Sequence, residues 1–137
     1  KDNFQSRIYL MLFHFSVMII VLRKKKIKFD QLEYDYFFNN IEYNLRELGY
    51  GDVSVNSKMK DLNKVLYDIL LKIESKNETS NLKFKLNKKL VTKYFEELKT
   101  LNSSNFEQFE LYFCTFFNYC FELNPKNMLK DIKNFKF

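Results

Sequence analysis

The stretch LRELGYGDVSVNSKMKDLNKVLY, residues 45–67, decides how this chain folds. It contains both glycines of the protein, Gly49 and Gly51, between two segments with helical periodicity. Gly49 follows an apolar stripe at the place where a helix commonly ends in a left-handed residue, so we expect it to have a positive φ. Gly51 and Asp52 form a turn pair that redirects the chain. The stretch therefore predicts a corner between two helices.

Helical periodicity extends from this corner over most of the chain. Asp30 with Glu33, and Ser104 with Glu107, have the spacing of helix-capping boxes. Residues 75–81, SKNETSN, contain no apolar side chain and predict a mobile surface loop. The predicted helices span residues 8–22, 30–48, 56–74, 86–101 and 105–123, with a short sixth helix that starts at Pro125. Together they predict an all-α fold, a single bundle of five to six helices in one domain.

The longest apolar run is IYLMLFHFSVMIIVL at residues 8–22, and the basic residues 23–26 follow it directly. A membrane helix with a positive flank has this order. Fifteen residues rise only about 22 Å as a helix, however, which is shorter than the ~20 residues that a membrane span needs. The run therefore favours a buried central helix, with a small membrane-anchored protein as the alternative.

A cluster of cations follows this run, in a chain whose net charge is +6. These cations suit the C-terminal end of a helix and need no further role there. They could also contact the phosphates of ribosomal RNA or of lipid. A helical nucleic-acid-binding protein is a second alternative, although no recognition helix stands out. The cluster consists of Arg23, Lys24, Lys25, Lys26 and Lys28.

Catalytic and metal-binding patterns are not found in the sequence. It has no phosphate loop, dinucleotide fingerprint or nucleophile elbow. Its single histidine, His14, gives little scope for a metal site or a catalytic triad. Cys114 and Cys120 lie in an apolar helical pattern and are expected to be reduced core residues. We therefore predict no catalytic residue, no metal, no cofactor and no enzymatic activity.

Two motifs resemble those of the ubiquinol–cytochrome c chaperone family. The first is ELGYGDVSV at residues 47–55, followed by K-x-K and an aromatic residue. The second is D-x(4)-R-x(6)-H at residues 2–14. The second half of the chain matches the family only in its helical pattern. The motif positions expected to be structural are Asp2, Arg7, His14, Gly49, Gly51 and Tyr67.

This resemblance implies an α-helical assembly chaperone that binds newly made cytochrome b during the biogenesis of respiratory complex III. It also implies contact with the ribosome, a small partner chaperone and peripheral contact with the membrane. The expected location is the cytoplasmic face of a bacterial inner membrane or the matrix side of the mitochondrial inner membrane. Because the chain starts at Lys1 and family members usually carry another helical segment there, we expect an additional N-terminal piece.

The corner also supplies the predicted partner-binding residues, Tyr50, Asp52, Lys58 and Lys60. Tyr50 lies between two glycines, so its ring is expected to project from the surface. Lys58 and Lys60 are expected in the first turn of a helix, where the helix dipole disfavours cations, and this suggests a use other than folding. Arg7 and His14 share one helix face two turns apart. They are expected to contact a neighbouring helix terminus or the corner itself.

Overall fold

The computed structural model describes residues 4–28, 30–77, 84–95 and 103–124. For residues 103 and 104 it describes the backbone only. Within these residues the chain forms five helices. They are α1 (Phe4–Lys24), α2 (Gln31–Glu47), α3 (Asp52–Lys76), α4 (Lys88–Tyr94) and α5 (Ser103–Glu122). No strand occurs among the described residues, and the all-α prediction is confirmed. The predicted sixth helix after Pro125 and most of the predicted polar loop lie outside those residues.

The core forms around α1, which packs against α3 and α5. Ile8, Leu12 and Phe15 are buried, as their spacing predicts, and the helix extends beyond the apolar run at both ends. Aromatic rings fill the interface with α5, where Phe13 lies 5.8 Å from Phe113 between ring centroids. Among the described helices α1 alone is long and apolar enough to span a membrane, and 61% of its apolar stretch is buried inside the protein.

Both α1 and α2 end in a Schellman motif, in which a left-handed residue lets two backbone N–H groups reach back to the last turn. At the end of α2, Gly49 has a φ of +98°, which confirms the predicted cap, and Tyr50 N–H donates to the Leu45 carbonyl at 3.3 Å. At the end of α1, the left-handed residue is Lys26, with a φ of +60°. Ile27 N–H donates there to the carbonyl of Leu22 at 2.9 Å.

The corner is tighter than predicted, because α3 begins at Asp52 rather than at residue 56. Gly51 is the N-cap residue. The Asp52 carboxylate lies in the first turn, where its negative charge interacts favourably with the helix dipole. At its other end α3 continues to Lys76, so the predicted loop starts later than residue 75. The next residue, Asn77, is buried and its Nδ2 and Oδ1 bond the carbonyl and N–H of Lys85, both at 2.8 Å.

The second half of the described chain packs on this core through hydrogen bonds as well as through aromatic contacts. Asn87 caps α4, which is only seven residues long against the predicted 86–101. Asp68 on α3 is half-buried and accepts a hydrogen bond from Tyr94 Oη at 2.6 Å. α5 starts at Ser103, one residue before the predicted cap at Ser104.

Candidate partner-binding site

Two openings flank the N-terminal half of α1, and Phe4 and Ile8 contribute to both. The α1–α2 groove, with a volume of about 360 Å³, runs between α1 and the end of α2. The α1–α3 pocket, with a volume of about 240 Å³, lies between α1, the corner and α3. The groove is lined by Phe4, Arg7, Ile8, Met11, Ile41, Asn44, Glu47 and Leu48.

The α1–α2 groove has an apolar floor and a rim that combines apolar and charged side chains. Ile8 and Ile41 are buried at its floor. Met11 and Leu48 remain 38% and 56% exposed, which is unusual for large apolar side chains that lie beside a groove. Grooves of this kind accept the apolar face of a helix, with charges at the edge that set its orientation. The arrangement therefore suits a mainly apolar helical segment of a partner.

The α1–α3 pocket brings together two of the four predicted partner-binding residues. The Lys58 ammonium lies 5.0 Å from the centroid of the Tyr50 ring, within the range of a cation–π contact. Tyr50 is therefore partly covered, at 38% exposure, rather than projecting freely as predicted. Leu45 and Leu62 contribute apolar surface to the same pocket. Its volume is below the ~300 Å³ at which small-molecule sites begin, so it suits a single side chain of a partner.

Asp52 and Lys60 are not part of this pocket. Arg46 forms ion pairs with Asp52 and, at 3.2 Å, with Glu42, so Asp52 ties the corner together rather than pointing to a partner. Lys60 is two residues beyond Lys58, which places it about 200° round α3 on another face. Because α3 begins at Asp52, both lysines lie beyond its first turn, and the prediction that they oppose the helix dipole is wrong.

His14 lies in the core contact between α1 and α5. The prediction that it contacts the corner or a neighbouring helix terminus is wrong. Its Nδ1 donates to the Leu10 carbonyl at 2.7 Å, since a carbonyl can only accept. Nε2 is then an acceptor, and Tyr112 Oη donates to it at 2.7 Å. Burial lowers the pKa of His14, while the bond to Leu10 acts against that shift. The neutral ring therefore holds the two helices together.

The other motif positions fall in different places. Arg7 is exposed at the rim of the α1–α2 groove, beside the end of α2. Tyr67 is 61% exposed on α3 and lies near Tyr34 of α2. Asp2 lies outside the described residues. The motifs therefore include groove, helix-contact and corner positions rather than one compact site.

The basic cluster divides into structural and outward-facing cations. Arg23 donates to both carboxylate oxygens of Glu74, at 2.8 and 2.9 Å. Lys25 is half-buried, donates to the carbonyl of Leu123 at 3.1 Å and lies over the ring of Phe121. These two cations hold α1 against α3 and α5, and the binding surface predicted for all five cations stays a prediction. Arg23 is exposed despite its ion pair, and Lys24, Lys26 and Lys28 are exposed and form no ion pair with the described residues.

Sequence reasoning missed the groove residues Met11, Ile41 and Leu48. By their spacing in the sequence, Ile41 and Leu48 belong to the apolar stripe of residues 30–48, and Met11 belongs to a second stripe of residues 8–22. The available signal was that α1 carries two apolar stripes, since a second stripe offers surface that one neighbouring helix cannot cover. Which neighbour would leave it open depends on how the helices cross.

The fold is all-α, and its two openings leave apolar surface accessible on either side of α1. The family model described as Ubiquinol-cytochrome C chaperone matches residues 1–110 of this chain, well over half of it. The chain belongs to that family, as its two motifs predicted. Searches of curated proteins and of solved structures gave no match. Membership supports a role as a chaperone in the assembly of complex III, a role that involves a client protein and implies no reaction.

Proposed function

We propose that this protein binds newly made cytochrome b and holds it until it is assembled into complex III, ubiquinol–cytochrome c reductase. The observation that carries this proposal is the family match over residues 1–110. It favours a chaperone over the two alternatives that the sequence left open, a nucleic-acid-binding protein and a membrane-anchored protein. The proposed activity is binding and release, without catalysis or a cofactor.

The α1–α2 groove is the proposed seat of the client. A membrane-spanning segment is a run of about 20 mainly apolar residues, which must be shielded from water until it is inserted. Met11 and Leu48 leave apolar surface exposed at the groove, and the buried Ile41 forms its floor. The α1–α3 pocket lies on the other side of Phe4 and can take one large side chain of the same client or of a small partner chaperone.

We place this activity at the inner membrane, on the cytoplasmic side in a bacterium or on the matrix side in a mitochondrion. A client of this kind is made on ribosomes and leaves them for the membrane, so a chaperone must meet it at both. Lys24, Lys26 and Lys28 are exposed cations that can contact phosphates of ribosomal RNA or of lipid. Contact with the ribosome and peripheral contact with the membrane are parts of the proposal.

The test is co-purification of cytochrome b with the tagged chain from its native cells. Met11→Glu with Leu48→Glu places two carboxylates at the groove, and both positions are exposed enough for the fold to tolerate them. Burying these charges against an apolar client is costly, so recovery of cytochrome b should fall by about tenfold or more. The matched control is Leu32→Glu with Leu111→Glu, which changes two exposed leucines on α2 and α5, away from the groove.

A second variant tests the α1–α3 pocket. Tyr50→Ala with Lys58→Glu removes the ring and reverses the charge, and should leave helical circular dichroism and the melting temperature nearly unchanged. The level of assembled complex III should fall in cells that carry it. If cytochrome b does not co-purify with the wild-type chain, the proposed client is wrong. If the groove variant recovers as much cytochrome b as its control, the client binds elsewhere on the surface.

A further inference from the structure

One face of α3 is unusual because exposed apolar side chains lie towards both of its ends and two exposed lysines lie between them. Val53, Tyr67 and Leu71 are 85%, 61% and 66% exposed. Lys60 and Lys64 are exposed between them, and the spacing of 7, 4, 3 and 4 residues places all five on one side of the helix. The stripe is about 27 Å long, since each residue of a helix rises about 1.5 Å.

The charge of this face is positive and is not cancelled locally. Neither Lys60 nor Lys64 forms an ion pair within the described part of the chain. Glu74, the acidic residue nearest the end of the stripe, is neutralised by Arg23 at 2.8 Å. Asp68, four residues beyond Lys64, pairs with Lys72 at 2.9 Å and with Lys93 at 3.0 Å. The exposed Asp61 lines the α1–α3 pocket, so the lysines of the stripe keep a net positive charge.

The stripe continues onto the basic end of α1. Lys24 and Leu71 line the same opening, with a volume of about 500 Å³, between the C-terminal ends of α1 and α3. Lys24 is exposed beside it. The apolar end of the stripe and the outward-facing part of the basic cluster are therefore neighbours on one surface.

We propose that this face of α3, together with Lys24, binds the surface of an anionic lipid bilayer. Apolar side chains on such a face enter the boundary between headgroups and acyl chains, while lysines contact the phosphates above them. Leu71 and Val53 would bury their apolar surface in this environment. Proteins hold single-stranded nucleic acid with cations and with aromatic rings on which the bases stack, and aliphatic side chains do not supply such rings. The combination of aliphatic side chains with lysines therefore favours a membrane over RNA.

This inference names the surface behind the membrane contact proposed above, and its test does not involve the client. The wild-type chain is incubated with vesicles of phosphatidylcholine alone or of phosphatidylcholine mixed with phosphatidylglycerol, which gives the vesicle the negative surface potential of an anionic leaflet. Bound protein is separated by flotation. Binding to the anionic vesicles, and little to the neutral ones, is the expected result.

Two pairs of variants separate this face from charge in general. Lys60→Gln with Lys64→Gln should weaken binding about 25-fold, since each lysine near an anionic surface contributes a factor of about five. Lys88→Gln with Lys89→Gln removes the same charge from exposed positions on α4 and should have little effect. Leu71→Ser should weaken binding about fivefold or more. Leu32→Ser, at a position 75% exposed on α2, should not.

Several outcomes would overturn the inference. One is that the wild-type chain does not float with anionic vesicles. Another is that the α4 variant loses as much binding as the α3 variant, which would indicate a response to net charge alone. A third is that the lysine variant loses binding to a structured RNA while its binding to vesicles is unchanged. Each result is independent of whether cytochrome b co-purifies, so this inference and the proposed client can fail separately.

Discussion

The replacement Gly49→Ala should destabilise the protein through its backbone alone. Gly49 has a φ of +98°, and an added Cβ would meet no atom within 4 Å, so no steric clash contributes. An L-residue in the left-handed region costs about 1–2 kcal/mol. Alanine recovers about 0.4–1 kcal/mol of this, because it has fewer conformations than glycine in the unfolded chain. The difference predicts a loss of about 1 kcal/mol in the free energy of unfolding.

Two other replacements serve as controls for this reasoning. Gly51 has a φ of −78° and equally open space around it, so alanine fits there without strain. In Gly51→Ala, the entropic gain should offset the weaker helix cap, and stability should change by less than about 0.5 kcal/mol. Lys26 is the reverse case, a lysine with a φ of +60°. Lys26→Gly should therefore stabilise the protein by about 0.5–1 kcal/mol.

Urea and thermal unfolding, followed by far-UV circular dichroism, measure all three changes. A loss of 1 kcal/mol corresponds to a fall in Tm of about 3–4 °C for a chain of this size. Equal stability of Gly49→Ala and the wild type would show that the end of α2 is not held in the left-handed conformation. If Gly51→Ala lost more stability than Gly49→Ala, the position that requires glycine would be Gly51, and the reasoning would be refuted.

Three further replacements test single polar contacts by the same unfolding measurements. Ser16→Ala should stabilise the protein by about 1 kcal/mol, because the buried Ser16 Oγ has no hydrogen-bond partner within the described residues; an unchanged or lower stability would argue against this. His14 has its pKa lowered by burial, so the unfolded chain takes up the proton first and stability should fall as the pH drops below 6.5, by up to about 1.4 kcal/mol per pH unit. His14 is the single histidine, so His14→Gln should flatten this dependence, and an unaltered slope would contradict it. Burial opposes ionisation of Asp68, but hydrogen bonds from Tyr94, Lys72 and Lys93 outweigh it and lower its pKa to about 2. Asp68→Asn should lower the free energy of unfolding by about 1–2 kcal/mol near neutral pH. In the wild type, the stability that the carboxylate contributes should be lost as the pH falls from 3.8 towards 2. An Asn variant as stable as the wild type at neutral pH would contradict this prediction.

Local sequence was sufficient to predict the helices and the corner. The spacing of Leu62, Leu66 and Ile69 follows the turn of a helix, so the buried face of α3 could be predicted without knowing what covers it. Gly49 could be assigned a left-handed φ because a helix end needs such a residue and glycine adopts it without strain. The family motifs could likewise be found without a structure, since a motif is a pattern of the sequence itself.

The same local reasoning could not predict where helices begin when the deciding residue has no strong preference. α3 begins at Asp52 because Gly51 is extended and the Arg46–Asp52 pair holds the corner. That ion pair joins two helices and has no sequence pattern of its own. In the same way, Arg23 and Lys25 read as free cations until their partners on α3 and near the end of α5 are known.

Contacts between distant parts of the chain were decided by the tertiary structure alone. Tyr112 is 98 residues from His14, yet its hydroxyl donates to the ring nitrogen that the bond to the Leu10 carbonyl leaves as an acceptor. Asn77 read as part of a polar loop, but it is buried and binds the backbone of Lys85. The α1–α2 groove exists because the two helices do not cover Met11 and Leu48 where they meet. Periodicity determines which side of a helix is apolar, whereas the crossing of helices, which depends on every side chain in the core, determines what that side touches and what it leaves open.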